Sequence, residues 1–162
     1  MSPIQRIKRG FWNILYPVFP HVERIFLFAH KRKRQPFHIG WLAPGKTLTK
    51  MKDHLAQKYQ FGNHFVAWED AGQVLSWRKL EGFTYQYHLR IFEDGEIRGH
   101  YELTPEAAPV AHFFEKGEIA RTRDFVLFLG PYLSKYRFIQ HPPLKKALKN
   151  ESEITFVPDS GK

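Results

Sequence analysis

Residues 83–104 read FTYQYHLRIFEDGEIRGHYELT, and the way their two halves pair decides the fold. Apolar and polar residues alternate on both sides of Glu93-Asp94-Gly95, the period of strands with two unlike faces. A two-residue Asp94-Gly95 turn would set Leu89 opposite His100 and Ile91 opposite Arg98, mixing apolar and charged groups on each face. A three-residue Glu93-Asp94-Gly95 loop, with Gly95 left-handed in a bulge, instead pairs Ile91 with Ile97, Leu89 with Gly99, Tyr87 with Tyr101 and Tyr85 with Leu103. One face is then wholly apolar. The other carries Thr84 with Thr104, Gln86 with Glu102, His88 with His100 and Arg90 with Arg98. The segregating register is the expected one.

Working outward, residues 64–80 form a second hairpin candidate around Glu69-Asp70-Ala71-Gly72. The same loop type puts Phe65, Ala67, Leu75 and Trp77 on one side and His64, Val66, Trp68, Val74, Ser76 and Arg78 on the other. Upstream, residues 36–42 read as a strand and 47–60 as a helix that buries Leu48, Met51, Leu55 and Tyr59. Thr47 is suited to cap that helix, and Gly62 lies just past its end. Downstream, Thr104-Pro105-Glu106 has the cap, proline and acid of a helix start, with Pro109 kinking or restarting it. Residues 118–134 give a further helix with Phe125, Phe128, Leu129, Tyr132 and Leu133 inward. The order β-α-β-β-β-β-α predicts an α+β fold, a mostly antiparallel sheet with helices on its apolar face.

Charge divides the 162 residues into three parts. Residues 1–34 hold eight Lys/Arg against one acid, residues 35–134 hold eleven against twelve, and residues 135–162 hold six against three. A near-neutral domain at 35–134 thus carries a basic N-terminal arm and a basic C-terminal tail, in which Pro142-Pro143 and the polar end favour little regular structure. An anionic partner would meet the ends first. Aromatic residues make up 16% of the chain, enough apolar volume for a real core. With no cysteine, disulfides, thiolate metal sites and cysteine nucleophiles are excluded.

The arm has an amphipathic pattern. Ile4, Ile7, Phe11, Leu15 and Val18 fall on one helical stripe, with Gln5, Arg6, Lys8, Arg9 and Asn13 opposite. Pro17 and Pro20 then break the pattern. A second stripe of Val22, Ile25, Phe26 and Ala29 ends in Lys31, Arg32, Lys33 and Arg34. Glu23 and Arg24 argue against a spanning helix, each costing about 2.5–3.5 kcal/mol near a bilayer centre. A cleaved export signal fits poorly with two prolines in its apolar stretch, whereas the basic, acid-poor composition has something of a mitochondrial transit segment. The pattern suits a helix lying in a membrane interface, with Ile4, Ile7, Phe11, Trp12 and Leu15 toward the acyl boundary and Lys31 to Arg34 toward anionic headgroups. The competing arrangement packs both stripes on the protein's own body.

Three further patterns carry chemistry. His88 opposite His100 offers two imidazoles to a metal, but Arg90 and Arg98 beside them and the lack of an evident third ligand favour an anion or a self-satisfied face. Trp68 and Phe92 interleaved with Arg78, Arg90, Arg98, His88 and His100 have the character of a single-stranded nucleic-acid surface. Gly40-Trp41-Leu42-Ala43-Pro44-Gly45-Lys46-Thr47 matches G-x-x-x-x-G-K-[ST] between a strand and a helix. Against a working phosphate loop, Pro44 lacks an N–H, Trp41-Leu42 is strand-like, and antiparallel hairpins follow where alternating strands and helices are needed. No catalytic motif and no cofactor motif stands out otherwise. The expectation is a small intracellular binding or adaptor domain held at an anionic membrane surface, on its cytoplasmic face. The alternatives are a nucleic-acid binder and a nucleotide-binding enzyme using Gly40, Gly45, Lys46 and Thr47.

Overall fold

The hairpin over residues 83–104 forms in the segregating register. Tyr85 pairs with Leu103, Tyr87 with Tyr101, His88 with His100, Leu89 with Gly99, Arg90 with Arg98 and Ile91 with Ile97. Gly95 takes φ +82° and closes the loop with its N–H on the Phe92 carbonyl, the left-handed conformation such a bulge requires. The computed structural model describes residues 1–15, 18, 34, 36–62, 70–113, 116–139 and 143–144.

Among these, helix α1 spans Pro3–Leu15, strand β1 His38–Leu42, helix α2 Leu48–Tyr59, β2 Gln73–Glu81, β3 Tyr85–Phe92 and β4 Glu96–Leu103. Helices α3 (Pro109–Phe113) and α4 (Thr122–Leu129), a 3-10 turn over Gly130–Tyr132 and β5 (Leu133–Ser134) follow. The sheet runs β2-β3-β4-β1-β5 with every neighbouring pair antiparallel. The fold is α+β.

The apolar face of the sheet meets α2 and α4. Leu42, Leu75, Trp77, Tyr87, Leu89, Ile91, Ile97 and Tyr101 pack against Met51 and Leu55 of α2 and Phe125, Phe128 and Leu129 of α4. The α2 boundaries follow from its ends. Thr47 Oγ1 accepts the Lys50 N–H at the start, and Gln60 in the left-handed region returns its N–H to Ala56 at the close.

Two sequence expectations change. The helix expected from Thr104 begins instead at Pro109, because Thr104 bonds the Phe83 carbonyl and the Ala107 N–H in a turn that directs Glu106 inward to Arg78. That segment and α3 lie on the polar face, where His112 approaches Glu102. The helix expected over 118–134 is shorter, since Gly130 at φ +48° and Pro131 cannot continue it. The chain it frees becomes β5 at the sheet edge, beside β1. The first arm of the upstream hairpin, with Phe65 to Trp68, lies outside the described residues, while β2 pairs with β3 from Gln73–Phe92 to Glu81–Tyr85.

Gly99 marks the tightest contact between sheet and helix. A Cβ there would stand 2.8 Å from Phe125 Cε1, 2.9 Å from its Cζ and 3.1 Å from the His88 carbonyl, and Phe125 is fully buried. Gly99→Ala should destabilise the protein by about 1–3 kcal/mol in urea unfolding, and Phe125→Leu in the same chain should recover part of the loss by removing the ring edge. Equal stability of Gly99→Ala and parent would contradict this packing.

Candidate functional site

Period-two alternation places Gln86, His88 and Arg90 of β3 and Arg98, His100 and Glu102 of β4 on the face opposite the core. Ser76 and Arg78 of β2 continue these rows, opposite Arg90 and His88. The sequence pattern suggested an open, basic, aromatic surface, and the structure corrects this. Arg78, Arg90, Phe92 and His100 are all buried, together with Gln86, Glu96, Glu102 and Glu106. Trp68 lies outside the described residues.

Burial is tolerated because each arginine meets a carboxylate. Arg90 Nη1 donates to Asp70 at 2.8 Å. Arg78 Nη2 donates to Glu106 at 3.0 Å and its Nη1 to Gln86 at 2.8 Å, while Gln86 Nε2 donates to Glu102 at 2.6 Å. Arg98 pairs with Glu96 at 2.7 Å. Arg34, expected at a membrane, instead joins this set: it lies 2.8 Å from Asp94 and 2.6 Å from Glu96, over the ring of Phe92. A single guanidinium nitrogen, Nη1, donates to both acids.

Within this face the imidazoles gather around Glu102. The His88 and His100 rings are 5.1 Å apart. His88 Nδ1 is 3.2 Å from Glu102 Oε1, and His100 Nε2 is 3.2 Å from Glu102 Oε2 and 3.3 Å from Glu118 Oε1. His112 Nδ1 lies 3.2 Å from Glu102 Oε2 and 3.0 Å from the Leu103 carbonyl. A carbonyl only accepts, so that nitrogen carries a proton. Ser76 Oγ holds His88 Nε2 at 2.8 Å.

Desolvation, helped by the charge of Arg90, pushes His88 down to about 3, so its ring is neutral at physiological pH. Burial alone would raise the Glu102 carboxyl, yet the imidazoles of His100, His112 and His88 hold it well below the usual carboxylate range. Burial would lower His112, but Glu102 outweighs it and raises the ring above its ordinary value. Among the described residues, His88, His100 and Glu102 bring three metal-ligating side chains within 4.8 Å of one another. The sequence reading paired the two histidines but gave Glu102 no part as a ligand, although His100-x-Glu102 is the spacing that puts both on one strand face. His112, Glu118, Asp70 and Glu106 carry no such local signal, since their segments cross to this face only in the fold.

The segment resembling a phosphate loop is not loop-like at its start. Gly40, Trp41 and Leu42 belong to β1, antiparallel to both its neighbours. A Cβ at Gly40 would lie 2.6 Å from the Ser134 carbonyl oxygen, so the glycine serves strand contact. Three of the segment's N–H groups are committed elsewhere: Leu42 to Gly95, Ala43 to Tyr132 and Lys46 to Ala43. Lys46 lies over the Tyr132 ring, Gly45 turns at φ +70°, and Thr47 caps α2.

The N-terminal stripe faces outward. Ile4 is 68% exposed, Ile7 72%, Phe11 57% and Ile14 75%, whereas Gln5, Arg9, Trp12 and Leu15 are half-buried. Arg9 donates to the Gly82 carbonyl at 3.2 Å and lies over Phe83. The helix therefore docks by its Gln5-Arg9-Trp12 side, which takes Trp12 and Leu15 partly out of the expected apolar contact face and adds Ile14. Lys31, Arg32 and Lys33 lie outside the described residues. No helix among the described residues is long and apolar enough to cross a membrane.

In the Arg78–Glu106 pair the carboxylate side chain is fully enclosed. Burial by itself would raise Glu106, but Arg78 lowers it below its ordinary value, so its contribution is present above the unfolded carboxyl pKa and lost as pH falls through the folded one. Glu106→Gln should cost about 3–5 kcal/mol near neutrality by stranding a buried guanidinium. In urea unfolding the difference from parent should shrink in acid, and a constant difference across pH would refute the assignment.

Comparison with known protein families, curated proteins and solved structures returned no match.

Proposed function

We propose that the protein is a binding or adaptor domain that associates peripherally with an anionic membrane surface through α1. One observation carries the reading: the helix docks by its Gln5-Arg9-Trp12 side, with Ile4, Ile7, Phe11 and Ile14 turned away from the domain. A helix serving only the monomer's stability would bury that stripe, since each large aliphatic or aromatic side chain removed from water is worth about 1.5–3 kcal/mol.

The occupant is a lipid surface on grounds of charge. At about 100° per residue Lys8 borders the stripe on one side, next to Ile4 and Leu15, and Arg6 lies beyond Ile14 on the other. Both are exposed. Apolar side chains can then enter the acyl boundary while cations reach phosphate headgroups, each basic residue near the surface adding about 1 kcal/mol. The arm's eight Lys/Arg against one acid strengthen that attraction. The cytoplasmic leaflet, where anionic lipids concentrate, is the membrane face of matching chemistry.

Sedimentation with phosphatidylserine-containing vesicles tests this. The intact chain should pellet at low salt, less so as salt rises, and little with purely zwitterionic vesicles. Ile7→Glu and Phe11→Glu should each weaken binding by about tenfold or more without altering unfolding, because both side chains are exposed. A chain that stays in the supernatant at low salt, or variants that bind as the parent does, would overturn the proposal. Binding of single-stranded nucleic acid without vesicle binding would favour the other anionic partner.

A further inference from the structure

Membrane association leaves the imidazole and carboxylate cluster on the polar sheet face unused. We infer that His88, His100 and Glu102, with Glu118 drawn in beside His100, form a binding site for one divalent first-row transition metal ion, of the zinc type. The site is independent of α1 and of its exposed stripe.

Strand pairing brings the ligands together. His88 and His100 are directly opposed, Glu102 follows His100 on the same face, and Glu118 arrives because Ile119 pairs with Tyr101 through two backbone hydrogen bonds. The closest separations are 3.2 Å from His88 Nδ1 to Glu102, 3.2 Å from His100 Nε2 to Glu102 and 3.3 Å from His100 Nε2 to Glu118. Ligand atoms bound about 2.0–2.2 Å from one cation stand about 2.9–3.5 Å apart at octahedral to tetrahedral angles. These closest pairs already have that spacing, while the ligand atoms of His88, His100 and Glu102 together span up to 4.8 Å, so the ion would draw the side chains inward.

The orientations agree with that spacing. Although His88 Nδ1 lies 3.2 Å from Glu102, it makes no hydrogen bond of acceptable geometry, so the carboxylate lies off the nitrogen's axis, as neighbouring ligands of one ion do. The other nitrogen of that ring is held by Ser76, and Glu102 accepts from Gln86 and lies beside the protonated His112 Nδ1. Such outer partners fix ring tautomer and carboxylate direction in metal sites. Arg90 and Arg98, which argued against a cation in the bare sequence, are each neutralised by Asp70 and Glu96. Arg78 is likewise matched by Glu106.

Two imidazoles and two carboxylates select the metal class. Imidazole nitrogen favours zinc, iron, cobalt or nickel over magnesium and calcium, which prefer oxygen alone. Two carboxylates balance the charge of a divalent ion. Access is by the outer margin of the cluster, where the side chains of His88 and His112 are 18% and 26% exposed while His100 is fully enclosed.

The test uses the full chain, stripped with chelator and titrated with Zn²⁺ by calorimetry and with Co²⁺ by visible absorption. One equivalent should bind saturably, with d–d bands of a low-symmetry nitrogen and oxygen site. His88→Ala and Glu118→Gln should each weaken binding by about tenfold or more. Zinc-edge X-ray absorption of the parent should show two imidazoles, a readout that needs no variant to fold. Absence of saturable one-to-one binding, unchanged affinity in both variants, or a zinc shell lacking imidazole would overturn the inference.

Discussion

Charge pairing across the second face of the sheet is the constraint from which the rest of the structure follows. The register that makes one face of β3 and β4 wholly apolar forces His88, Arg90, Arg98, His100 and Glu102 onto the other. Once that face is covered, each ion needs a partner, because removing one member of a buried pair costs several kcal/mol. The covering segments supply those partners. Asp70 answers Arg90, Glu106 answers Arg78, and Arg34 and His38 share Glu96 with Arg98.

The same requirement explains irregularities in the backbone. The turn at Thr104 replaces the helix that the local sequence favours, and the result is a carboxylate delivered to Arg78. A helix beginning there would have gained propensity and a proline in its first turn, but the guanidinium would have lost its counter-ion. Tertiary electrostatics outweighs a local preference worth about 1 kcal/mol. Pairing of Ile119 with Tyr101 similarly brings Glu118 to His100.

Legibility in the sequence follows the range of the interactions involved. The 83–104 hairpin was readable to the residue because a one-position slip would mix both faces, and the core side of α2 because Met51 and Leu55 fall on one stripe with Thr47 as cap. Strand β5 was not readable, since Leu133–Ser134 is too short for periodicity and exists only because β1 offers an edge. At the candidate site, His88 and His100 could be set face to face from register alone. The burial of that face could not, because alternation separates two faces without saying which segments cover them. The carboxylates from Asp70, Glu106 and Glu118 depend on loops whose paths no local pattern encodes.

The posture of α1 follows from the buried face as well. Arg9 lies within electrostatic reach of Glu106, lowering it further alongside Arg78, and its guanidinium meets the Gly82 carbonyl and the Phe83 ring at the turn between β2 and β3. A helix held by that arginine turns its Gln5-Arg9-Trp12 side to the domain. With Arg9 at its centre that side takes Gln5 and Trp12 with it, and helical geometry then leaves Ile4, Ile7, Phe11 and Ile14 about half a turn away. The outward stripe is therefore no accident of a loosely attached segment. It is the geometric complement of the contacts Arg9 makes with the Gly82 carbonyl and the Phe83 ring.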